Sequence, residues 1–175
     1  MPKKIDNQTY FNNNKTKTWN NPPIVVAWKF SSAENLGALL RVCDNFGVKQ
    51  VFFVGNENDY KASKIKRNAT TSFNKVDWSF VSEEDVWKSI PKKTIKVAVD
   101  TTTESIALND FHFKELTNSF CLFFGNETIG LEDEVITRCD TSIHIPMTGE
   151  SFSMNVVQSA AVTLFEASKQ IVLCD

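Results

Sequence analysis

The sequence predicts an α/β fold with a mostly parallel sheet and helices on both faces. Three observations carry that expectation. Short apolar runs of strand length alternate along the chain with segments of helical periodicity. One run, Phe120-Cys121-Leu122-Phe123-Phe124, is apolar at every position, as a central parallel strand covered on both faces must be. At 175 residues and 42% hydrophobic, the chain can bury one respectable core but is short for two ordinary domains.

Residues 1–22 are dominated by Asn, Thr and Lys and lack the periodicity needed to bury a face, so they read as a mobile polar and basic arm ahead of one domain at 23–175. Ile24 to Trp28 forms the first apolar run and reads as a buried strand. Ser31-Ser32-Ala33-Glu34 reads as a capping box, and Leu36, Leu39, Leu40, Cys43 and Phe46 follow at helical spacing, with Gly47 as the stop. Val51 to Val54 is the next strand, Asp59 to Asn68 a basic helix, and Lys75 to Val81 a further strand. A helix begins in Ser82-Glu83-Glu84-Asp85 and ends at Ile90, because Pro91 cannot continue it. Strands at Ile95–Val99 and Phe120–Phe124, a helix from Leu131 to Arg138, a strand at Ser142–Ile145 and a long helix from Asn155 to Ile171 complete the pattern.

Several function classes are disfavoured by composition. No stretch approaches the roughly 20 apolar residues of a membrane span, and the start has positive charge without an apolar segment behind it, so the cytoplasm is the expected location. The cysteines Cys43, Cys121, Cys139 and Cys174 are far apart and read as reduced structural thiols. The two histidines, His112 and His144, stand alone, so no metal site is expected. Lys+Arg number 19 against 21 Asp+Glu, a net charge of −2, which disfavours a globally basic nucleic-acid binder and leaves only a local patch. Candidates are Lys61, Lys64, Lys66 and Arg67, with Lys3, Lys4, Lys15, Lys17 and Trp19 in the arm; a solvated helix face is the plain alternative.

Three segments place Gly and polar residues where open α/β sheets bind ligands: Asn35-Leu36-Gly37-Ala38-Leu39-Leu40-Arg41, Phe124-Gly125-Asn126-Glu127-Thr128-Ile129-Gly130-Leu131, and Ile145-Pro146-Met147 continuing to Ser153-Met154-Asn155. Singly, each has an ordinary explanation: a helix residue with a surface charge, a turn, and a helix cap. Together and in this order they resemble the SpoU branch of the knotted SPOUT methyltransferases, whose motifs are N-x-G-x-x-x-R, G-x-E-x-x-G-L, and I-P-M followed by S-[LM]-N. The resemblance spans about residues 24–171.

That resemblance implies a deep C-terminal trefoil knot, a homodimer, S-adenosyl-L-methionine as cofactor and an RNA ribose 2′-hydroxyl as acceptor, with tRNA slightly favoured over rRNA. It implies catalytic roles for Asn35, Arg41, Glu127, Ser153 and Asn155. Leu122, Phe124, Gly125, Asn126, Gly130, Ile145, Met147, Ser153 and Met154 would bind the cofactor, and Lys15, Lys17, Lys64, Lys66 and Arg67 the RNA. Glu127 is expected to orient Arg41 or a neighbouring loop, and Arg41 to act across a dimer interface. A guanidinium stays protonated, so Arg41 is read as a clamp on phosphate and developing alkoxide rather than as a base. A knotted RNA-binding protein that no longer methylates is the competing class, disfavoured by the intact Asn35, Arg41, Glu127 and Asn155. No G-x-G-x-x-G follows any expected strand, which argues against dinucleotide binding.

Overall fold

Seven strands form one sheet in the computed structural model: β1 (Ile24–Trp28), β2 (Gln50–Val54), β3 (Asp77–Val81), β4 (Ile95–Val99), β5 (Ile106–Ala107), β6 (Phe120–Phe124) and β7 (Thr141–His144). Their order is β3-β2-β1-β6-β4-β7-β5, and every pairing is parallel. The structure describes residues 3–6, 9, 17–116, 119–151 and 153–173. The most apolar run of the sequence, β6, occupies the middle of the sheet with Val25 and Val97 on either side of Leu122. All five of its residues are buried, because helices cover both faces.

On one face, α1 (Ala33–Asn45), α2 (Ala62–Ala69) and α5 (Val156–Ser168) bury Leu36, Leu39, Leu40, Cys43, Ile65, Ala160 and Leu164 against Val25, Phe53, Leu122 and Phe124. On the other, α3 (Asp85–Ser89) and α4 (Asp133–Arg138) supply Val86 and Val135 to Val26, Phe52, Cys121 and Phe123. Alternate residues of β6 therefore feed two separate cores, and each fully buried Phe or Leu contributes about 1.5–3 kcal/mol.

Local chemistry moves several boundaries from the sequence expectation. The α1 cap is Ser32, not a box between Ser31 and Glu34: the Ser32 hydroxyl accepts from the Asn35 amide at 3.2 Å. Phe46 lies just past the helix, and Gly47 turns the chain at φ +71°. The expected Asp59–Asn68 helix starts later, at Ala62, because Glu57–Asp59 form a separate 3₁₀ turn capped by Asn56 and the Tyr60 hydroxyl is tied to the Phe30 carbonyl. The helix after Ser82 starts at Asp85, whose amide is accepted by the Ser82 hydroxyl at 3.1 Å. β5 escapes sequence reading because two residues carry no periodicity. α5 ends at Ser168 and widens into a π turn over Lys169–Leu173, where Gln170 accepts from the Phe113 amide and donates to the Phe111 carbonyl.

The segment read as an arm is fastened to the domain at Trp19. Its indole N–H donates to the Phe46 carbonyl at 2.6 Å and its ring meets Phe120 edge-on at 6.2 Å. Cys43, Cys121 and Cys139 carry no disulfide; burial pushes the Cys139 thiol up to about 12, which keeps it protonated and inert. Cys174 and Lys15 lie outside the described residues. No helix among the described residues is long and apolar enough to cross a membrane.

Candidate active site

The chain runs outward from β1 through β2 to β3 and then returns to the other side, so β1, β6 and β4 flank the point where strand order reverses. Open parallel sheets bind ligands at such a point, beyond the carboxyl ends of the strands. A cleft of about 320 Å³ lies there, lined by residues that follow β4 (Asp100, Thr101), β6 (Gly125 to Gly130) and β7 (Ile145, Met147), together with Ser153, Met154, Val156 and Ser159. Segments far apart in sequence meet because parallel strands all deliver their C-terminal ends to one edge of the sheet.

Of the expected cofactor residues, the cleft brings together Phe124, Gly125, Asn126, Gly130, Ile145, Met147, Ser153 and Met154. Leu122 is not among them. It lies two residues before the strand end with no exposed surface, so its side chain is core rather than pocket wall. The turn that carries Gly125 to Gly130 is closed by a backbone pair between Asn126 and Gly130, at 3.0 and 2.9 Å. Asn126 Oδ1 accepts from the Thr128 amide at 2.9 Å, while its Nδ2 donates to the Lys29 carbonyl at 2.6 Å. Both glycines are sterically required. A Cβ on Gly125 would stand 2.1 Å from the Gly130 carbonyl carbon, and Gly130 sits at φ +70° with room for no side chain.

Glu127 clamps the entry to α1. Its carboxylate accepts from the Ser31 amide (2.7 Å) and hydroxyl (2.8 Å), the Ser32 amide (3.2 Å) and Asn35 Nδ2 (2.8 Å). Burial pushes this carboxyl up, but the hydrogen bonds from Ser31 and Asn35 outweigh it and leave the group below the usual glutamate range. All of its hydrogen bonds run to the Ser31–Asn35 segment, and none to Arg41. Asn35 is consumed by the same clamp, bridging the first two motifs. Gly37 serves packing, since a Cβ there would lie 2.3 Å from the Ile65 carbonyl oxygen of α2. Asn155 caps α5, its Oδ1 accepting from the Val157 amide at 2.9 Å and the Gln158 amide at 3.4 Å; Ser153 is exposed at the rim of the cleft.

A model of the SpoU rRNA methylase family matches residues 22–165. This chain belongs to that family. Among its relatives is the tRNA (guanosine(18)-2′-O)-methyltransferase of Aquifex aeolicus, 30% identical over 149 residues that cover 84% of this chain and 69% of the relative. The crystal structure of an RNA 2′-O ribose methyltransferase superposes with a TM-score of 0.75 at 26% identity, covering 90% of this chain and 59% of the other. The SpoU methyltransferase AviRb from Streptomyces viridochromogenes, in complex with the cofactor AdoMet, has the same fold, with a TM-score of 0.73 at 24% identity and coverage of 89% and 60%. The chain thus spans about two thirds of the length of the Aquifex enzyme and three fifths of the two structures.

Within this SpoU fold, Arg41 stands apart from its own cleft. It is exposed on α1, does not line the cleft, and its guanidinium makes no hydrogen bond or ion pair with another described residue. The basic helix is partly committed to its own domain: Lys64 pairs with Glu34 at 2.8 Å and Lys66 Nζ stands 5.9 Å from the centre of the Phe73 ring. Lys61, Arg67, Lys3, Lys4 and Lys17 are exposed. The cleft also contains groups that the motifs do not mark, chiefly Asp100 and His144. Asp100 follows β4 directly, so its place as a polar residue after a strand is a signal the sequence carries without any motif.

The cleft suits S-adenosyl-L-methionine on its chemistry. Ile145, Met147, Met154 and Val156 give an apolar wall for a purine, and the volume lies at the lower end of the ~300–1,000 Å³ typical of small-molecule sites.

Proposed function

We propose that this chain methylates a ribose 2′-hydroxyl of RNA with S-adenosyl-L-methionine, favours tRNA over rRNA, and works in the cytoplasm as a homodimer with a knotted C-terminal segment. The observation that carries the reading is the convergence of two family motifs, the turn after β6 and the segment after β7, on one cleft at the switch point of the sheet, with the third motif's Asn35 bound to Glu127 of that turn. When bound, the cofactor supplies a sulfonium methyl that forms a bond to oxygen as its carbon–sulfur bond breaks, leaving a neutral thioether.

The chain's own residues align and hold the reactants. Ile145, Met147 and Met154 seat the apolar part of the cofactor, Glu127 and Asn35 fix the loop beside it, and Ser153 and Asn155 shape the rim. Arg41 clamps the phosphate next to the acceptor nucleotide and stabilises developing negative charge on oxygen, while the hydroxyl proton leaves to phosphate or water. Replacing Arg41 by Lys removes the bidentate fork, so Arg41→Lys is expected to lose most activity; near-full activity would rule the clamp out.

A cleft completed by a second copy fits the position of Arg41, which is exposed on α1 and has no partner among the described residues of its own chain. Beside α1, the α5 residues Val162 (38% exposed) and Phe165 (52%) present apolar surface, with Phe165 meeting Phe46 edge-on at 6.5 Å. Mixing Arg41→Ala and Asn155→Ala chains should restore activity in heterodimers, and no recovery would count against a shared site. RNA contacts are assigned to Lys64, Lys66 and Arg67 with Lys15 and Lys17. The function itself is tested by mapping 2′-O-methyl positions in total RNA from cells with and without the gene. One or more positions should lose the mark, and an unchanged map would refute the proposal.

A further inference from the structure

Asp100 belongs to none of the three motifs, yet it joins every strand end that forms the cleft. It follows β4 directly, and its backbone amide donates to the Ile143 carbonyl of β7 at 3.0 Å. Its side chain reaches the turn after β6, where Oδ2 accepts from the Leu131 amide at 2.7 Å; Oδ1 accepts from the Thr101 amide at 2.7 Å. The fit around it is tight from the other side as well. A Cβ on Gly130 would lie 2.5 Å from Asp100 Oδ2, so the glycine and the carboxylate require each other.

We propose that Asp100 is a positioning residue for cofactor binding: its carboxylate pins the Asn126–Leu131 turn to the end of β4 and so fixes the cleft in its binding shape. The inference rests on the functional reading above. Without the pin, the Leu131 amide loses its acceptor and the turn that walls the cleft keeps its internal bridge, Asn126 on Lys29 and Glu127 on the entry to α1, none of which ties it to β4. Loss of a hydrogen bond to a charged group from the wall of a site corresponds to about tenfold in affinity when the site must re-form that wall to bind. The effect is on shape, so it falls alike on the charged cofactor and on its neutral product, S-adenosylhomocysteine.

The experiment is calorimetry on the purified full chain with S-adenosylmethionine and with S-adenosylhomocysteine. Asp100→Ala should raise both dissociation constants by about tenfold and by the same factor, while leaving affinity for RNA unchanged. Asp100→Asn keeps one oxygen acceptor and should fall between the two, also equally for both ligands; it carries the test should the Ala variant fail to fold. A double-mutant cycle adds an independent check. Gly130→Ala should weaken binding more in the parent chain than in the Asp100→Ala background, because the obstructing carboxylate is gone there while the strain at φ +70° is common to both. Three results would overturn the inference: Asp100→Ala within twofold of the parent for both ligands, additive effects in the cycle, or a loss confined to S-adenosylmethionine, which would make Asp100 a counter-charge rather than a pin. A parent chain that binds neither ligand would instead overturn the functional reading, and this inference with it.

Discussion

Removing the Glu127 carboxylate should loosen the entry to α1 before it touches anything else. In Glu127→Ala, the Ser31 amide and hydroxyl, the Ser32 amide and Asn35 Nδ2 all lose their acceptor. A hydrogen bond to a charged group is worth roughly 1.5–3 kcal/mol when desolvated, but Ser31 is exposed and water can replace part of what is lost. The net destabilisation is therefore about 2–3 kcal/mol rather than the sum of four strong bonds. For a chain of 175 residues, at roughly 2–4 °C per kcal/mol, the melting temperature should fall by about 5–10 °C. Glu127→Gln, which presents one acceptor oxygen and turns an NH₂ toward the remaining donors, should lose about half as much.

The pH dependence follows from the lowered folded-state pKa. The carboxylate contributes stability that is fully present above the unfolded-state value and is lost as pH falls through the lower folded-state value. The melting-temperature gap between the parent chain and Glu127→Gln should thus be constant near neutrality and narrow in acid. Thermal denaturation followed by circular dichroism across that range checks both statements. A Glu127→Ala chain that melts within about 1 °C of the parent at neutral pH would refute the clamp.

Other expectations concern separate parts of the molecule. Gly37→Ala forces a Cβ to within 2.3 Å of the Ile65 carbonyl oxygen, and because that obstacle is backbone the α1–α2 contact must open, at a cost of about 3 kcal/mol read by denaturant unfolding. Trp19→Ala removes the indole bond to Phe46 and the edge contact to Phe120; the half-buried ring should cost about 2 kcal/mol, whereas deletion of a segment that does not pack would leave the unfolding midpoint unchanged. Joint replacement of Lys64, Lys66 and Arg67 by Ala should weaken RNA binding and reduce the slope of log affinity against log salt by about 2–3, with no change in cofactor affinity; a salt slope equal to the parent's would remove this helix from the RNA interface.

The sheet is legible because β1 and β6 are wholly apolar runs of strand length and β2 and β4 are apolar but for Gln50 and Lys96, and α1 because Leu36, Leu39, Leu40 and Cys43 keep helical spacing onto one core. The motifs identified most of the cleft wall, since parallel strands carry their C-terminal loops to a common edge. Roles were harder to read than places. Glu127 binds Ser31 and Asn35 across 96 and 92 residues of sequence, a pairing no local pattern can show. Leu122 was misplaced because strand alternation tells which face a residue takes but not how near the strand end a cleft begins. The place of Asp100 after a strand is visible in the sequence but its role is not, because the Leu131 amide and Gly130 meet it only after β4 and β6 pair.

Methyl transfer to a ribose oxygen is read out by incubating the purified chain with methyl-labelled S-adenosylmethionine and unmodified tRNA, digesting the RNA to nucleosides and locating the label. The label should appear in a 2′-O-methylnucleoside and be lost with Arg41→Ala. Label in a base, or no transfer to tRNA or rRNA by a chain that binds the cofactor, would contradict the proposed function.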